Sequence, residues 1–165
     1  SNWSFVRLKE YWTLISGRDL SPSEYNSNRD GVPYITGASN FSIGNVEIVR
    51  WTPVPQVITK YGDLLFTCKG TVGEMAMNSF GTAHIARQVM AIRNTYSFNM
   101  EYLQLCLSYY IVSIRTSAKG LIPGISREDI LNLIIPFPPL AEQQGIVNIT
   151  NSVYSILNDI EKSLS

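Results

Sequence analysis

The sequence of 165 residues contains a single histidine, His84, only two cysteines, Cys68 and Cys106, and 16% charged residues. With one imidazole, no second His and no paired acids at ligand spacing, neither a metal site nor a Ser-His-Asp triad can be assembled around His84. The cysteines lie in apolar surroundings without Cys-x-x-Cys spacing, and read as two reduced, buried thiols of a cytoplasmic protein. Cys68 ends an apolar strand pattern and reads as core rather than as a thiol activated by Lys69. The longest apolar stretches, such as Ile130 to Leu140, are broken by prolines or polar residues well short of the roughly 20 that span a bilayer. Lys69-Gly70-Thr71 lacks the order of glycines, Lys and Ser or Thr of a P-loop. Glu74-Met75-Ala76 lacks the lysine a metal-dependent nuclease would carry. The chain begins Ser1-Asn2-Trp3 with neither an initiator Met nor a signal pattern, and reads as a fragment of a longer protein.

What is present suffices for one folded domain. Hydrophobic residues make up 45% of the chain, which is incompatible with a disordered tail. Net charge is zero but unevenly placed. Residues 1–127 hold twelve Lys and Arg against eight Asp and Glu, whereas residues 128–165 hold Lys162 against five acids. A mildly basic globular part, able to neutralise phosphates, is thus joined to an acidic tail.

Period-two patterns and turn signals predict short strands. Trp3 to Ile15 reads as a strand followed by a short helical or extended turn, and Arg18 to Arg29 as an exposed polar loop. Strands are predicted at Gly31 to Gly37, Val46 to Trp51, Leu64 to Cys68, Met75 to Met77 and Ala86 to Ile92. Asn99 is a plausible cap for a helix whose buried face is Tyr102, Leu103, Cys106, Leu107, Tyr110, Ile111 and Ile114. Lys119 to Ser126 must be a loop. Ser126 caps a short helix closed by Leu133, and Ile134 to Phe137 is a strand.

From Leu140 the chain reads as helix to its end, about 26 residues and roughly 39 Å long. Ile146, Ile149, Val153, Ile156 and Ile160 form a heptad seam that needs cover. That cover is this domain's own surface or another helix, and the spacing favours a coiled coil.

Several pieces, in order, carry a resemblance. They are Trp3 with Arg7-Leu8-Lys9-Glu10 and Ile15-Ser16-Gly17-Arg18, then Gly31-Val32-Pro33-Tyr34-Ile35, Gly62-Asp63-Leu64-Leu65-Phe66 with Gly70-Thr71-Val72-Gly73, and Arg87-Gln88-Val89-Met90-Ala91-Ile92. Ile125-Ser126-Arg127-Glu128-Asp129-Ile130 follows, then Ile135-Pro136-Phe137-Pro138-Pro139-Leu140-Ala141-Glu142-Gln143-Gln144 leading into the long helix. Together they resemble the half-repeat of specificity subunits of type I restriction-modification systems. The sequence departs from that pattern before Ile125, where many relatives have a polar run with Gln and this chain has Leu121-Ile122-Pro123-Gly124.

The resemblance implies an α+β target-recognition domain at residues 1–137, built on a twisted, partly barrel-like mixed sheet with helices. A connecting and dimerisation helix would occupy residues 138–165. It implies recognition of double-stranded DNA, one half of a bipartite target, without catalysis. The implied partners are methyltransferase subunits, a restriction and motor subunit, and a second recognition repeat or second copy paired through the helix, with no membrane. S-adenosylmethionine, ATP and Mg would be needed only in those partner subunits, and this chain would hold no cofactor.

A reader of duplex DNA needs cations or amides for phosphates and side chains that fit base edges. The candidates are Arg18, Ser39, Asn40, Lys69 with Gly70 and Thr71, Arg87 with Gln88, and Lys119. The alternative for each is a solvated surface group or a core hydrogen bond. Two other readings compete. One is an interaction module that associates through the seam without reading DNA. The other is a piece of a DNA adenine methyltransferase, because Pro136-Phe137-Pro138-Pro139-Leu140 is similar to the Asn/Asp-Pro-Pro-aromatic motif. Phe137 and Leu140 there replace the hydrogen-bonding and stacking residues that base flipping requires.

Overall fold

The computed structural model describes residues 3–117 and 124–165. The elements follow the chain as β1 (Ser4–Arg7), α1 (Leu8–Tyr11), β2 (Trp12–Ser16), β3 (Val32–Ile35), β4 (Phe41–Ser42), β5 (Asn45–Val46), β6 (Trp51–Thr52) and β7 (Ile58–Thr59). Then come β8 (Leu64–Thr67), β9 (Met75–Met77), β10 (Ala83–Ile85), β11 (Val89–Asn94), α2 (Met100–Ser117), α3 (Arg127–Leu131), β12 (Ile134–Phe137) and α4 (Leu140–Leu164). Two four-stranded sheets dominate, ordered β2-β11-β8-β9 and β6-β3-β10-β7, and the described sheets do not close into a barrel. Among the described residues only β3 and β10 run parallel, and every other pair is antiparallel.

Alternation along the strands produces two cores. Met90 and Ile92 of β11, with Leu64 and Phe66 of β8, face Leu103, Leu107 and Ile111 of α2 and Val147 of α4. Val89 and Ala91, with Leu65, face Ile35, Ala83 and Ile85 of the second sheet. The result is three layers, helices on one sheet and that sheet on another, each interface sealed by side chains one residue apart in sequence.

The helices begin where the sequence indicates. Asn99 Oδ1 accepts the amide of Tyr102 at 3.0 Å, and Ser126 Oγ accepts that of Asp129 at 3.1 Å, so both caps satisfy amides that a helix start leaves open. Helix α3 ends at Leu131 rather than Leu133. The base of α4 is built into the globular part: Gln143 and Val147 are buried, and Gln143 Nε2 donates to the carbonyl of Pro138 at 2.9 Å.

Two strand expectations and one loop expectation are corrected. The run Val46 to Trp51 is not one strand, because only its ends pair, Val46 with Phe41 and Trp51 with Pro33. Between them the buried amide of Asn40 takes the carbonyl of Glu47 at 2.9 Å. The strand expected at Ala86 starts only at Val89, since Ala86 turns and its carbonyl accepts the Val89 amide at 3.0 Å. The polar stretch Arg18 to Arg29 is pinned by buried Leu20 and a 3-10 turn at Pro22–Glu24.

Two buried polar groups tie the layers together. Asp63, 2% exposed, receives Arg93 through Nε at 3.0 Å and Nη2 at 2.8 Å, the Thr59 hydroxyl at 2.9 Å and the Lys60 amide at 2.8 Å. Its carboxylate thereby joins β7, the turn after it and β11. His84 lies fully buried in β10. Its Nδ1 faces the amides of Gln56 and Val57 at 3.0 and 3.1 Å, so it must accept, and Nε2 donates to the carbonyl of Arg18 at 2.7 Å. Burial, its largest influence, holds the imidazole below its ordinary pKa of 6.5. A proton on Nδ1 would point at two amide protons.

Both groups give expected outcomes. Asp63→Ala strands the partly buried Arg93 and should cost about 3 kcal/mol in urea unfolding; a loss near zero would show that the network carries no stability. Because the folded His84 pKa lies below the unfolded one, the unfolded chain takes up the proton first. The stability due to His84 is complete above pH 6.5 and declines as pH falls below it. Melting curves between pH 7 and pH 5 should show this decline in the native protein and a flatter profile in His84→Gln.

Candidate nucleic-acid interface

Several strand ends meet at one end of the sheets. Gly17, after β2, donates to the Val89 carbonyl at 3.2 Å, and Arg18 to that of Ile85 at 2.9 Å. Cys68, after β8, donates to the Gln88 carbonyl at 2.8 Å, and Ile125 to that of Cys68 at 2.8 Å. Ala86 donates to the Ile35 carbonyl at 2.9 Å. This chain of main-chain bonds brings together Arg18, the turn Lys69-Gly70-Thr71, and Arg87 with Gln88, all exposed.

Two glycines make the packing of these turns possible. A Cβ on Gly37 would lie 2.4 Å from Gln88 Oε1, and one on Gly17 would lie 1.9 Å from the Ala86 carbonyl oxygen. Gln88 therefore lies over Gly37 and near Gly70, joining two loops distant in sequence. Gly70 has φ +71°, a conformation that disfavours a side chain. Thr67 staples the turn, donating through its hydroxyl to the Thr71 carbonyl at 2.6 Å and accepting the Glu74 amide at 3.0 Å. The exposed residues of the turn are thus carried on fixed backbone.

Arg87 is held lightly. Its amide donates to Asp19 Oδ1 at 3.0 Å, and its Nε lies 3.7 Å from Asp19 Oδ2, with both side chains more than half exposed. An exposed pair of this kind contributes under about 1 kcal/mol, so the guanidinium is available to a phosphate or a guanine edge. Cys68 is buried beneath this end, and its thiol is pushed up by burial, an effect larger than the lowering influence of neighbouring Lys69. Cys68 thus fits a core thiol rather than an activated one.

Asn40 must be corrected as a base reader. It is 2% exposed, and its Oδ1 accepts from the Thr36 amide, the Thr36 hydroxyl and the Gly37 amide. Its amide is consumed in shaping the loop. Ser39 stays exposed on the wall of a cleft of about 300 Å³ shared with Tyr25, Tyr34 and Arg50. Lys119 lies outside the described residues. Sequence reasoning missed Asp19, which positions Arg87, and Gly37, whose role depends on Gln88. Arg127, singled out in the sequence only within a piece of the resemblance, reaches Ser16 at 3.0 Å, beside the same strand end.

The seam lies along α4. Ile146 is partly buried against the first core, while Ile149, Val153, Ile156 and Ile160 are each at least half exposed. Among the described residues no cluster of His, Cys, Asp or Glu could hold a metal ion, and no helix is long and apolar enough to cross a membrane.

Known proteins share this architecture. A protein of Methanocaldococcus jannaschii described as a type I restriction enzyme MjaX specificity subunit is 28% identical over 151 residues, covering 88% of this chain and 35% of that protein. The HsdS subunit from Thermoanaerobacter tengcongensis superposes with a TM-score of 0.87 at 26% identity, over 99% of this chain and 40% of that one. A chain from a structure of a type I restriction-modification system gives 0.85 at 26% identity, over 98% and 40%. The S subunit from M. genitalium shares the fold, with 0.64 at 17% identity over 98% of this chain and 41% of that one. This chain thus spans about two fifths of the length of such relatives. The family profile described as the type I restriction modification DNA specificity domain matches residues 1–165, and the chain belongs to that family.

Proposed function

We propose that this domain recognises double-stranded DNA by sequence, reading one half of a bipartite target for a type I restriction-modification complex in the cytoplasm, and performs no chemistry itself. The observation that carries this reading is the meeting of Arg18, Lys69, Arg87 and Gln88 on fixed turns at one end of the sheets. Cations there can neutralise phosphates, and an amide and a guanidinium suit adenine and guanine edges. Lys119, Ser39 and the exposed backbone around Gly70 and Thr71 are further contacts in this proposal.

The half-exposed seam of α4 is the second part of the reading. It pairs with a helix of a second repeat or second copy, and the paired rod presents a surface to methyltransferase subunits, through which the restriction and motor subunit joins. S-adenosylmethionine, ATP and Mg act in those partners.

The decisive experiment grafts residues 3–165 in place of one repeat of a working specificity subunit, co-expresses it with the methyltransferase subunit and maps methylated adenines by sequencing. One half-site should change and the other stay; assembly with both half-sites unchanged would refute base reading. In that complex Lys69→Ala should weaken binding uniformly across sequences and reduce the slope of log affinity against log salt by about 0.9. Ile149→Glu with Ile156→Glu should abolish pairing of the rod, read by sedimentation, and leave the domain's melting temperature unchanged.

A further inference from the structure

The hairpin of β4 and β5 turns through Ile43 and Gly44, whose φ values are +48° and +75°. A two-residue turn with both central residues left-handed suits a tight hairpin and favours Asn, Asp or Gly at its first position. Isoleucine is among the residues least tolerant of that conformation, because its branched Cβ crowds the backbone. Packing gives nothing in return, since Ile43 is 97% exposed. A strained backbone carrying an apolar side chain into solvent points to a contact outside the domain.

The base of the hairpin is anchored to the domain. Phe41 and Val46 pack on the second core, and the Glu47 amide donates to the Asn40 carbonyl at 2.7 Å. Asn40 in turn fixes Thr36 and Gly37, and Gly37 lies against Gln88. The Ile43 tip therefore springs from the loop that abuts Gln88.

We propose that Ile43 is a specificity-determining residue that sets its side chain against a thymine C5-methyl in the major groove. The inference rests on the reading of this domain as a DNA recogniser. A two-stranded ribbon fits the major groove, and the thymine methyl is the apolar group displayed on base edges there. A side chain without polar atoms offers no hydrogen bond to a base edge, and in the major groove the thymine methyl is the group it packs against.

The test uses the full-length specificity subunit carrying this chain, assembled with its methyltransferase subunits, on a duplex bearing its mapped target. Each thymine of the half-site is replaced in turn by deoxyuridine, which lacks only the methyl. One replacement should weaken binding by the native protein about fourfold, the scale of one buried methyl. Ile43→Asn should lose about as much on the thymine duplex and be indifferent to that replacement. Its melting temperature should equal or exceed the native one, because Asn accepts a left-handed backbone. If Ile43→Asn binds every duplex as the native protein does while sequence preference persists, this inference alone is overturned. If neither protein prefers the mapped target, the recognition reading falls and takes the inference with it.

Discussion

Strand β11 is buried on both faces, and the three layers depend on it. Met90 and Ile92 close the core under the helices, and Val89 and Ala91 close the core between the sheets. Its edges are taken as well, by β2 and by β8. A strand with both faces and both edges occupied cannot slip by one residue without exchanging the contents of two cores. Its start at Val89 is thereby fixed, and with it the position of Arg87 and Gln88 at the surface. Arg93, near its other end, clamps Asp63 and joins the strand to the β7–β8 turn.

Much of this was legible in the sequence, because it rests on local signals. Helix α2 follows from Asn99 and the three-four spacing after it; α4 follows from its seam, and β8 from an apolar run between a Gly-Asp turn and a glycine turn. Strand β10 was not legible. It has three residues, and the polar ring of His84 stands in the middle of them. Its burial makes sense only once the Arg18 carbonyl and the Gln56 and Val57 amides are brought to it from distant parts of the chain.

The candidate interface divides in the same way. Lys69, Arg87 and Gln88 could be singled out because charged or amide residues at the ends of apolar strands have little reason to be buried. Asn40 looked equivalent, yet it is an interior hydrogen-bonding hub, and no spacing rule reveals that three donors of one loop converge on its oxygen. Gly37 carried no signal of its own, since what forbids a side chain there is a residue about fifty positions later. Local chemistry can thus nominate an exposed end of a sheet, whereas the division of labour among its polar residues is decided by tertiary contacts.

That division separates the residues that hold the fold from those proposed for recognition. Asn40, Asp63, Thr67 and His84 hold the turns through buried bonds, whereas the exposed side chains of Lys69, Arg87 and Gln88 contribute little to the core. Exchanges at such surface positions usually change stability by under about 0.5 kcal/mol. If this end reads DNA as proposed, a lineage can rewrite the letters displayed there while keeping the page on which they are set. Diversification of this surface is a matter of single substitutions, with no need to rebuild the frame.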